Sequence, residues 1–288
     1  MARDRKLFGA LSRRGPHKVL RGDLGFAGIR GVVYTPDSGL HLPALAFGHD
    51  WLTGVEHYTA TLEHLASWGI VAAAPDTERG LAPSVVNLAA DLNTVLTVVS
   101  CVRLGSGQIS VDPEKLGVAG HGFGGSAALL AASTREKVMG AASAREKVKG
   151  AAAVFPSVTK PSAEAVARSL RVPGLVLATP DDGPSLRTDA LEVAAGWDGA
   201  VLRVVDKAEA GGLAEKRGLR RLVGLPGSSN RTQKAVRALL TGFMLFSLTG
   251  DKKYRAFADA AADLPHCHAP KADAAPITPE DRIVALLR

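Results

Sequence analysis

Residues 116–130 of the chain read LGVAGHGFGGSAALL, and this stretch decides the fold. It opens with apolar residues in a run of strand length, continues through closely spaced glycines, and ends in small apolar residues that favour a helix. The stretch therefore predicts a buried strand, a tight turn centred on Gly122, and a helix that begins directly after the turn.

Apolar strands and amphipathic helices alternate on both sides of this turn. The predicted strands span residues 31–35, 42–47, 70–74, 116–119, 150–155, 174–178 and 200–205. The predicted helices span residues 55–68, 84–102, 126–133 and 232–248. Continuously apolar strands are typical of a parallel sheet that helices cover on both faces. We therefore predict an α/β fold with a mostly parallel central sheet, whose working loops follow the carboxyl ends of the strands.

The composition favours one large domain. The chain has 288 residues, and 46% hydrophobic against 22% charged residues argues for a buried core and against global disorder. The two cysteines, Cys101 and Cys267, are too few for a disulfide framework and indicate reduced thiols. No apolar run reaches membrane-spanning length, and Arg13 and Arg14 interrupt the region where a signal peptide would be apolar. We therefore expect a cytoplasmic protein.

A basic segment, residues 1–25, precedes the predicted domain at 26–268. The formal net charge of the chain is +7, and this segment carries Arg3, Arg5, Lys6, Arg13, Arg14, Lys18 and Arg21. Leu7, Phe8 and Leu11 lie between these cations at roughly helical spacing. The segment is interpreted either as a solvated tail or as a contact with an anionic membrane surface or an acidic partner, through Arg3, Arg5, Lys6, Arg13 and Arg14. Nucleic acid is not an expected partner, because the rest of the chain lacks interleaved basic and aromatic residues.

Two other segments are predicted to lie outside the core. Residues 269–288 are predicted to form a linker rich in proline and alanine, followed by a short helix from Thr278. The sequence REKVMGAA at 135–142 recurs as REKVKGAA at 145–152. Its period is too short for a solenoid unit, so we interpret it as a duplication that inserts at the surface after the helix following Gly122.

Six segments between residues 42 and 267 carry a resemblance to a known family. The turn follows the pattern G-x-S-x-G of a nucleophile elbow, with glycine in the place of serine. The others are AFGH at 46–49, LASWGIV at 65–71, DPEKLGV at 112–118, PGLVLA at 173–178 and GDKKYRAF at 250–257. In these segments the chain resembles the α/β-hydrolase superfamily, and within it the dienelactone-hydrolase-like and PET-hydrolase-like, or cutinase-like, esterases. The resemblance implies the α/β-hydrolase fold.

The resemblance places the three catalytic-triad positions on Gly122, Asp182 and Ala210. Glycine offers no nucleophile and alanine no general base, so only the acid is retained. No histidine lies between His121 and His266, so the loss of the base does not depend on the register of the comparison. The resemblance therefore implies a catalytically inactive protein that acts, without a cofactor, by binding a small apolar or ester-like ligand or a protein partner. The basic segment at residues 1–25 adds a membrane-proximal setting as one interpretation.

Two groups of residues are expected to outline the remaining site. The resemblance assigns an oxyanion-hole-like pair of backbone N–H groups to His49 and Phe123. Asp50, Trp51 and His121 are expected to line the cleft beside them.

Other interpretations stay open at this point. One is an active carboxylic ester hydrolase, of the dienelactone or polyester type, with a non-standard site. Another is a dinucleotide-binding oxidoreductase, because Gly120, Gly122 and Gly125 also spell G-x-G-x-x-G, although the acid that should close the following strand is missing. A metal site at the His-Cys-His run of residues 266–268 is not expected, because the sequence shows no second cluster of ligands.

Overall fold

The computed structural model describes residues 2–142, 147–182, 188–215 and 228–270. The helix predicted from Thr278 lies outside the described residues, as does most of the predicted linker.

Strands and helices alternate along the described chain. The strands are β1 (Val19–Asp23), β2 (Gly31–Pro36), β3 (Gly39–Gly48), β4 (Val71–Pro75), β5 (Ile109–His121), β6 (Val148–Val154), β7 (Gly174–Ala178), β8 (Ala200–Val205) and β9 (Cys267–His268). The helices are α1 (Ala2–Leu11), α2 (Thr59–Ser67), α3 (Val85–Cys101), α4 (Phe123–Ala142), α5 (Ala163–Ala167), α6 (Ala190–Gly196) and α7 (Asn230–Thr249). Short 3-10 helices span Leu24–Ala27, Val55–His57 and Lys252–Ala258. Within the described ranges, no helix has the length and apolar character needed to cross a bilayer.

These strands form one sheet in the order β1-β2-β4-β3-β5-β6-β7-β8-β9. The pairs from β4 through β8 are parallel, whereas β1, β2 and β9 join antiparallel at the two edges. The predicted α/β fold with a mostly parallel central sheet is therefore confirmed.

Helices cover both faces of the sheet, because successive strand residues point to opposite faces. In β3, Leu45 and Phe47 join the core beneath α1, α2 and α7. Ala44 and Ala46 join the core beneath α3, α4, α5 and α6. All four side chains are fully buried. This burial on both faces explains why the strands read as continuous apolar runs.

The basic segment begins as a helix that packs on the body of the protein. Leu7, Phe8 and Leu11 are buried in the same core as α7, and the rings of Phe8 and Phe257 stack with centroids 6.4 Å apart. The interpretation of residues 2–11 as a solvated tail is therefore wrong. Their apolar face is covered by the protein itself, while a contact of the surrounding cations with an anionic membrane surface stays a prediction.

The two copies of the repeat adopt different structures. Residues 135–142 continue α4, whereas residues 148–152 lie in β6, between β5 and β7. In the first copy Arg135 is buried and donates to the Asn93 carbonyl at 3.2 Å. The expectation of a surface insertion is therefore wrong. Two nearly identical sequences form a helix and a strand because contacts with the sheet outweigh local propensity.

Candidate functional site

The turn after β5 has the tight geometry expected of the stretch at 116–130. Gly122 has φ +54°, a left-handed conformation that glycine adopts without the steric cost of a side chain. Its N–H donates to the Val154 carbonyl at 2.9 Å. Its carbonyl accepts from the N–H groups of Gly125 and Ser157, at 2.9 and 3.1 Å. The turn is thus fixed on both sides by β6 and by the start of α4.

Close packing accounts for the neighbouring glycines. A Cβ atom on Gly124 would lie 2.3 Å from the Gly48 backbone, and one on Gly120 would lie 2.0 Å from the Gly124 carbonyl oxygen. Real side chains do not occupy such short distances, so α4 packs against β3 and β5 only because these positions lack a Cβ. The G-x-G-x-x-G spelling therefore has a packing explanation at Gly120.

The Asp50 carboxylate lies where a side chain at position 122 would stand. A Cβ on Gly122 would fall 2.0 Å from Asp50 Oδ1 and 2.3 Å from its Cγ. The same Oδ1 accepts the N–H of Phe123 at 2.9 Å and the N–H of Trp51 at 2.8 Å. Asp50 is only 4% exposed. The buried Asp50 carboxyl group therefore occupies the Phe123 N–H, the backbone donor that the resemblance assigns to an oxyanion hole.

The loop after β3 fixes Asp50 through its main chain. The Asp50 N–H donates to the Tyr58 hydroxyl at 3.1 Å, and the Thr53 hydroxyl donates to the Asp50 carbonyl at 2.5 Å. The His49 ring lies at hydrogen-bond distance from two carbonyl oxygens, those of Asp50 and Thr77, at 3.0 and 2.7 Å. His49 thus orders the loop through its imidazole. The second backbone donor at Asp50 Oδ1 is the Trp51 N–H, at 2.8 Å. The assignment of the His49 N–H to an oxyanion-hole-like pair stays a prediction.

His121 connects this loop to the one that follows β8. Its Nε2 lies 2.6 Å from the Ala210 carbonyl oxygen, which can only accept, so Nε2 carries a proton. Its Nδ1 lies 2.8 Å from the Tyr58 hydroxyl oxygen. The ring is fully buried and makes edge contacts with Tyr58 and Phe155. Both ring nitrogens are therefore engaged inside the protein.

In the described part of the chain, the three positions assigned to the triad make no direct hydrogen bonds with one another. Ala210 adjoins the turn through its carbonyl bond to His121. Asp182 instead accepts the N–H of Leu191, in the first turn of α6, at 3.1 Å. Asp182 is 3% exposed, and burial raises its pKa above the ordinary value for a carboxyl. Asp182 is therefore a buried carboxyl group bonded to the start of a helix.

Of the three residues expected to line a cleft, Trp51 alone reaches solvent. Its side chain is 39% exposed, and its indole N–H donates to the Leu81 carbonyl at 3.2 Å. Asp50 and His121 are buried, so the expectation that they line an open cleft is wrong for this structure. No sequence pattern pointed to Tyr58, whose hydroxyl accepts the Asp50 N–H and lies 2.8 Å from His121 Nδ1.

The His-Cys-His run forms part of the sheet edge. Cys267 is buried in β9, and burial raises its thiol pKa to about 11, so the reactive thiolate is disfavoured. The His268 ring lies 3.0 Å from the Asp206 carboxylate. Across the described ranges, the structure contains no group of three or more His, Cys, Asp or Glu residues that could hold a metal ion.

Comparison with known proteins assigns no family. No protein-family model matches the sequence, and no curated protein is significantly similar to it.

Proposed function

We propose that this chain is an α/β-hydrolase-like protein that lacks ester-hydrolase activity and acts by binding. The observation that carries the proposal is the Asp50 carboxylate, which stands 2.0 Å from the place of a Cβ at position 122. The Asp50 carboxylate fills the space beside Gly122. Neither a nucleophilic side chain at position 122 nor a substrate carbonyl fits in that space.

Acyl transfer needs a nucleophile, a general base and donors that are open to the developing oxyanion. Position 122 supplies no nucleophile, and the hydroxyl of Ser126, one turn along α4, donates to the Ser157 carbonyl at 2.5 Å. His121 is hydrogen-bonded at both nitrogens. The Phe123 N–H already donates to Asp50 Oδ1 at 2.9 Å. Among the residues that the structure describes around this turn, none therefore meets any of the three requirements.

The same carboxylate argues against a dinucleotide at the turn. A pyrophosphate binds at a helix N-terminus through free backbone N–H groups. At the start of α4 the Phe123 N–H is taken by Asp50 Oδ1. A phosphate at that N–H would also need the space that the Asp50 carboxyl group fills.

An exposed apolar surface beside the turn supports a binding role. Trp51 is 39% exposed and Leu81 is 81% exposed, and the indole N–H of the first is bonded to the carbonyl of the second. Aromatic side chains with a bonded polar end are favoured at binding surfaces. We therefore assign the ligand, a small apolar or ester-like molecule or an apolar protein segment, to this surface.

Two assays test the loss of activity. The protein is incubated with p-nitrophenyl butyrate and with a fluorophosphonate probe, beside a serine esterase as positive control. We expect no burst of p-nitrophenol and no covalent labelling. Hydrolysis that disappears in Asp50→Asn would instead establish an active ester hydrolase that uses the buried carboxylate.

A separate measurement tests the binding surface. Saturation-transfer NMR with ethyl benzoate is expected to show binding that weakens about fivefold or more in Trp51→Ala. Leu40→Ala is the control, because Leu40 is 56% exposed at the opposite, amino end of β3. Equal binding by both variants would refute the assignment to Trp51.

A further inference from the structure

A cavity of about 470 Å³ lies between α1 and the first turns of α7. Its wall includes Arg5, Phe8, Gly9, Arg231, Lys234 and His266. None of these residues belongs to the turn after β5, so the cavity is a different place in the fold from the site described above. Its volume lies in the range that small-molecule sites occupy.

The wall carries three permanent positive charges. Arg5 comes from α1, whereas Arg231 and Lys234 come from α7, and all three are exposed at their side chains. No acidic side chain lines the cavity in the described part of the chain. The Arg5 guanidinium lies 3.8 Å from Asp263, but both side chains are more than half exposed, so this pair is weak. The charges therefore favour an anion.

One side of the cavity is apolar and is formed by Phe8 and Ala235. Phe8 is 3% exposed, stacks on Phe257 and contacts the His266 ring with centroids 5.9 Å apart. Ala235 of α7 is buried on the same wall. The cavity thus joins an apolar interior to a cationic rim.

Two backbone features lie at the cavity wall, at Gly9 and His266. Gly9 lies within α1, where glycine costs about 1 kcal/mol relative to alanine. A Cβ at Gly9 would meet no atom within 4 Å, so packing does not require the glycine there. His266 has φ +61°, a left-handed conformation that is uncommon outside glycine, and its carbonyl accepts the Asp206 N–H at 3.0 Å. That conformation presents the ring to Phe8.

We propose that this cavity binds a small amphiphilic anion, with a phosphate or carboxylate group at the cationic rim and a short apolar chain against Phe8. Arg231 and Lys234 provide charge-assisted hydrogen bonds to the anion. The space beside Gly9 admits the chain. The proposal stands independently of the inactive turn, because no residue is shared between the two sites.

Calorimetric titration of the full chain tests the proposal with octyl phosphate, used below its micelle-forming concentration. We expect binding that weakens at least about tenfold in the double variant Arg231→Gln/Lys234→Gln. Gly9→Leu is expected to weaken it similarly by filling the cavity, while circular dichroism shows an intact fold. Arg103→Gln, which removes an exposed cation outside the cavity wall, is the matched control and should bind as the parent does.

Three further titrations separate the sources of affinity. We expect octanol and inorganic phosphate each to bind at least about tenfold more weakly than octyl phosphate, because each lacks one half of the contacts. If inorganic phosphate bound as tightly as octyl phosphate, the proposed amphiphilic ligand would be wrong and the cavity would bind a simple anion. Binding to vesicles of anionic lipid without binding of monomeric octyl phosphate would overturn the cavity in favour of a membrane surface. Absence of octyl phosphate binding, or binding unchanged in the double variant, would also overturn the proposal.

Discussion

Gly122 and Asp50 share a single small volume at the carboxyl edge of the sheet. A buried carboxylate is costly unless hydrogen bonds stabilise its charge, and the Phe123 and Trp51 N–H groups do so here. The absence of a Cβ at 122 is what leaves room for it. The two residues are therefore expected to be coupled energetically.

A double-mutant cycle measures this coupling. Gly122→Ala should destabilise the protein by about 3 kcal/mol, because the left-handed backbone is strained and the carboxylate must leave its donors. Asp50→Ala removes the obstacle. The double variant should therefore be more stable, by at least about 1 kcal/mol, than the sum of the two single changes predicts. Urea unfolding of the four proteins gives these values.

Gly28→Ala provides the control for backbone strain. Gly28 also has a positive φ, of +73°, but a Cβ there meets no atom within 4 Å. Gly28→Ala should therefore lower the free energy of unfolding by only about 1 kcal/mol. Strict additivity between positions 50 and 122 would show that the carboxylate does not occupy the space beside Gly122.

His64 gives the protein a defined response to acid. Burial in α2, together with the charge of Arg237, lowers its pKa from 6.5 to about 4. The unfolded chain therefore binds the proton more tightly, and stability is lost as the pH falls from about 6.5 to about 4. The lowered pKa of His64 changes the free energy of unfolding by about 3 kcal/mol in total. About 2 kcal/mol of this is lost by pH 5.

Unfolding free energies at pH 7.5 and pH 5 test this prediction. The difference between the two pH values should shrink by about 2 kcal/mol in His64→Gln and remain in His17→Gln, whose histidine is exposed. An unchanged difference in His64→Gln would mean that the buried ring does not control the acid response.

At the scale of elements, the start of α2 depends on a residue far away in sequence. Tyr58, which precedes the helix, offers no side-chain cap. Glu215 instead accepts the N–H groups of Ala60 and Thr61, each at 2.8 Å, and pairs with Arg237 of α7 at 2.9 Å. Both charged side chains are about 15% exposed or less. One carboxylate thus caps α2 and ties it to α7.

We expect Glu215→Ala to destabilise the protein by about 3 kcal/mol, because it uncaps α2 and leaves Arg237 largely buried without its partner. Glu164→Ala is the control. This substitution breaks the exposed ion pair between Glu164 of α5 and Arg168, the residue after the helix. It should lower the free energy of unfolding by about 0.5 kcal/mol or less. Thermal unfolding of both variants measures the contrast, and equal costs would remove the capping role.

Regular elements with strong local signals could be predicted from the sequence. The predicted strands 174–178 and 200–205 coincide with β7 and β8, because they are apolar runs bounded by turn residues. The helix predicted at 84–102 is α3, and the Ser84 hydroxyl caps it by accepting the Asn87 N–H. The short helices α5 and α6 were missed, because a few residues carry little periodicity.

The candidate site could be predicted only in part, for a related reason. The turn at Gly122 is local, and its glycines specify it. The partner Asp50 lies 73 residues from Phe123 along the chain, and nothing in the local sequence brings the two together. The contact arises because β3 and β5 are parallel neighbours, with Gly48 opposite Gly120. The pairing of β3 with β5 therefore brings Asp50 to the turn at Gly122, and the glycine motif alone does not encode this contact.

At the scale of the whole molecule, α1 closes one face of the sheet and supplies a wall of the cationic cavity. Leu7, Phe8 and Leu11 are buried against the core that contains α7. Burial of three such side chains contributes roughly 5 kcal/mol as an upper value. The helix therefore belongs to the cooperative unit, although its outward face carries the basic surface of the chain.

A variant that lacks residues 2–11 separates these two roles. It should unfold with several kcal/mol less free energy than the parent, because Phe257 and its neighbours lose their cover. The variant Arg3→Gln/Lys6→Gln removes only exposed charge and should change stability by less than about 0.5 kcal/mol. If the truncated protein unfolded at the parent's urea midpoint, α1 would be an appendage, and the packing of Phe8 beneath the cavity would contribute nothing to the fold.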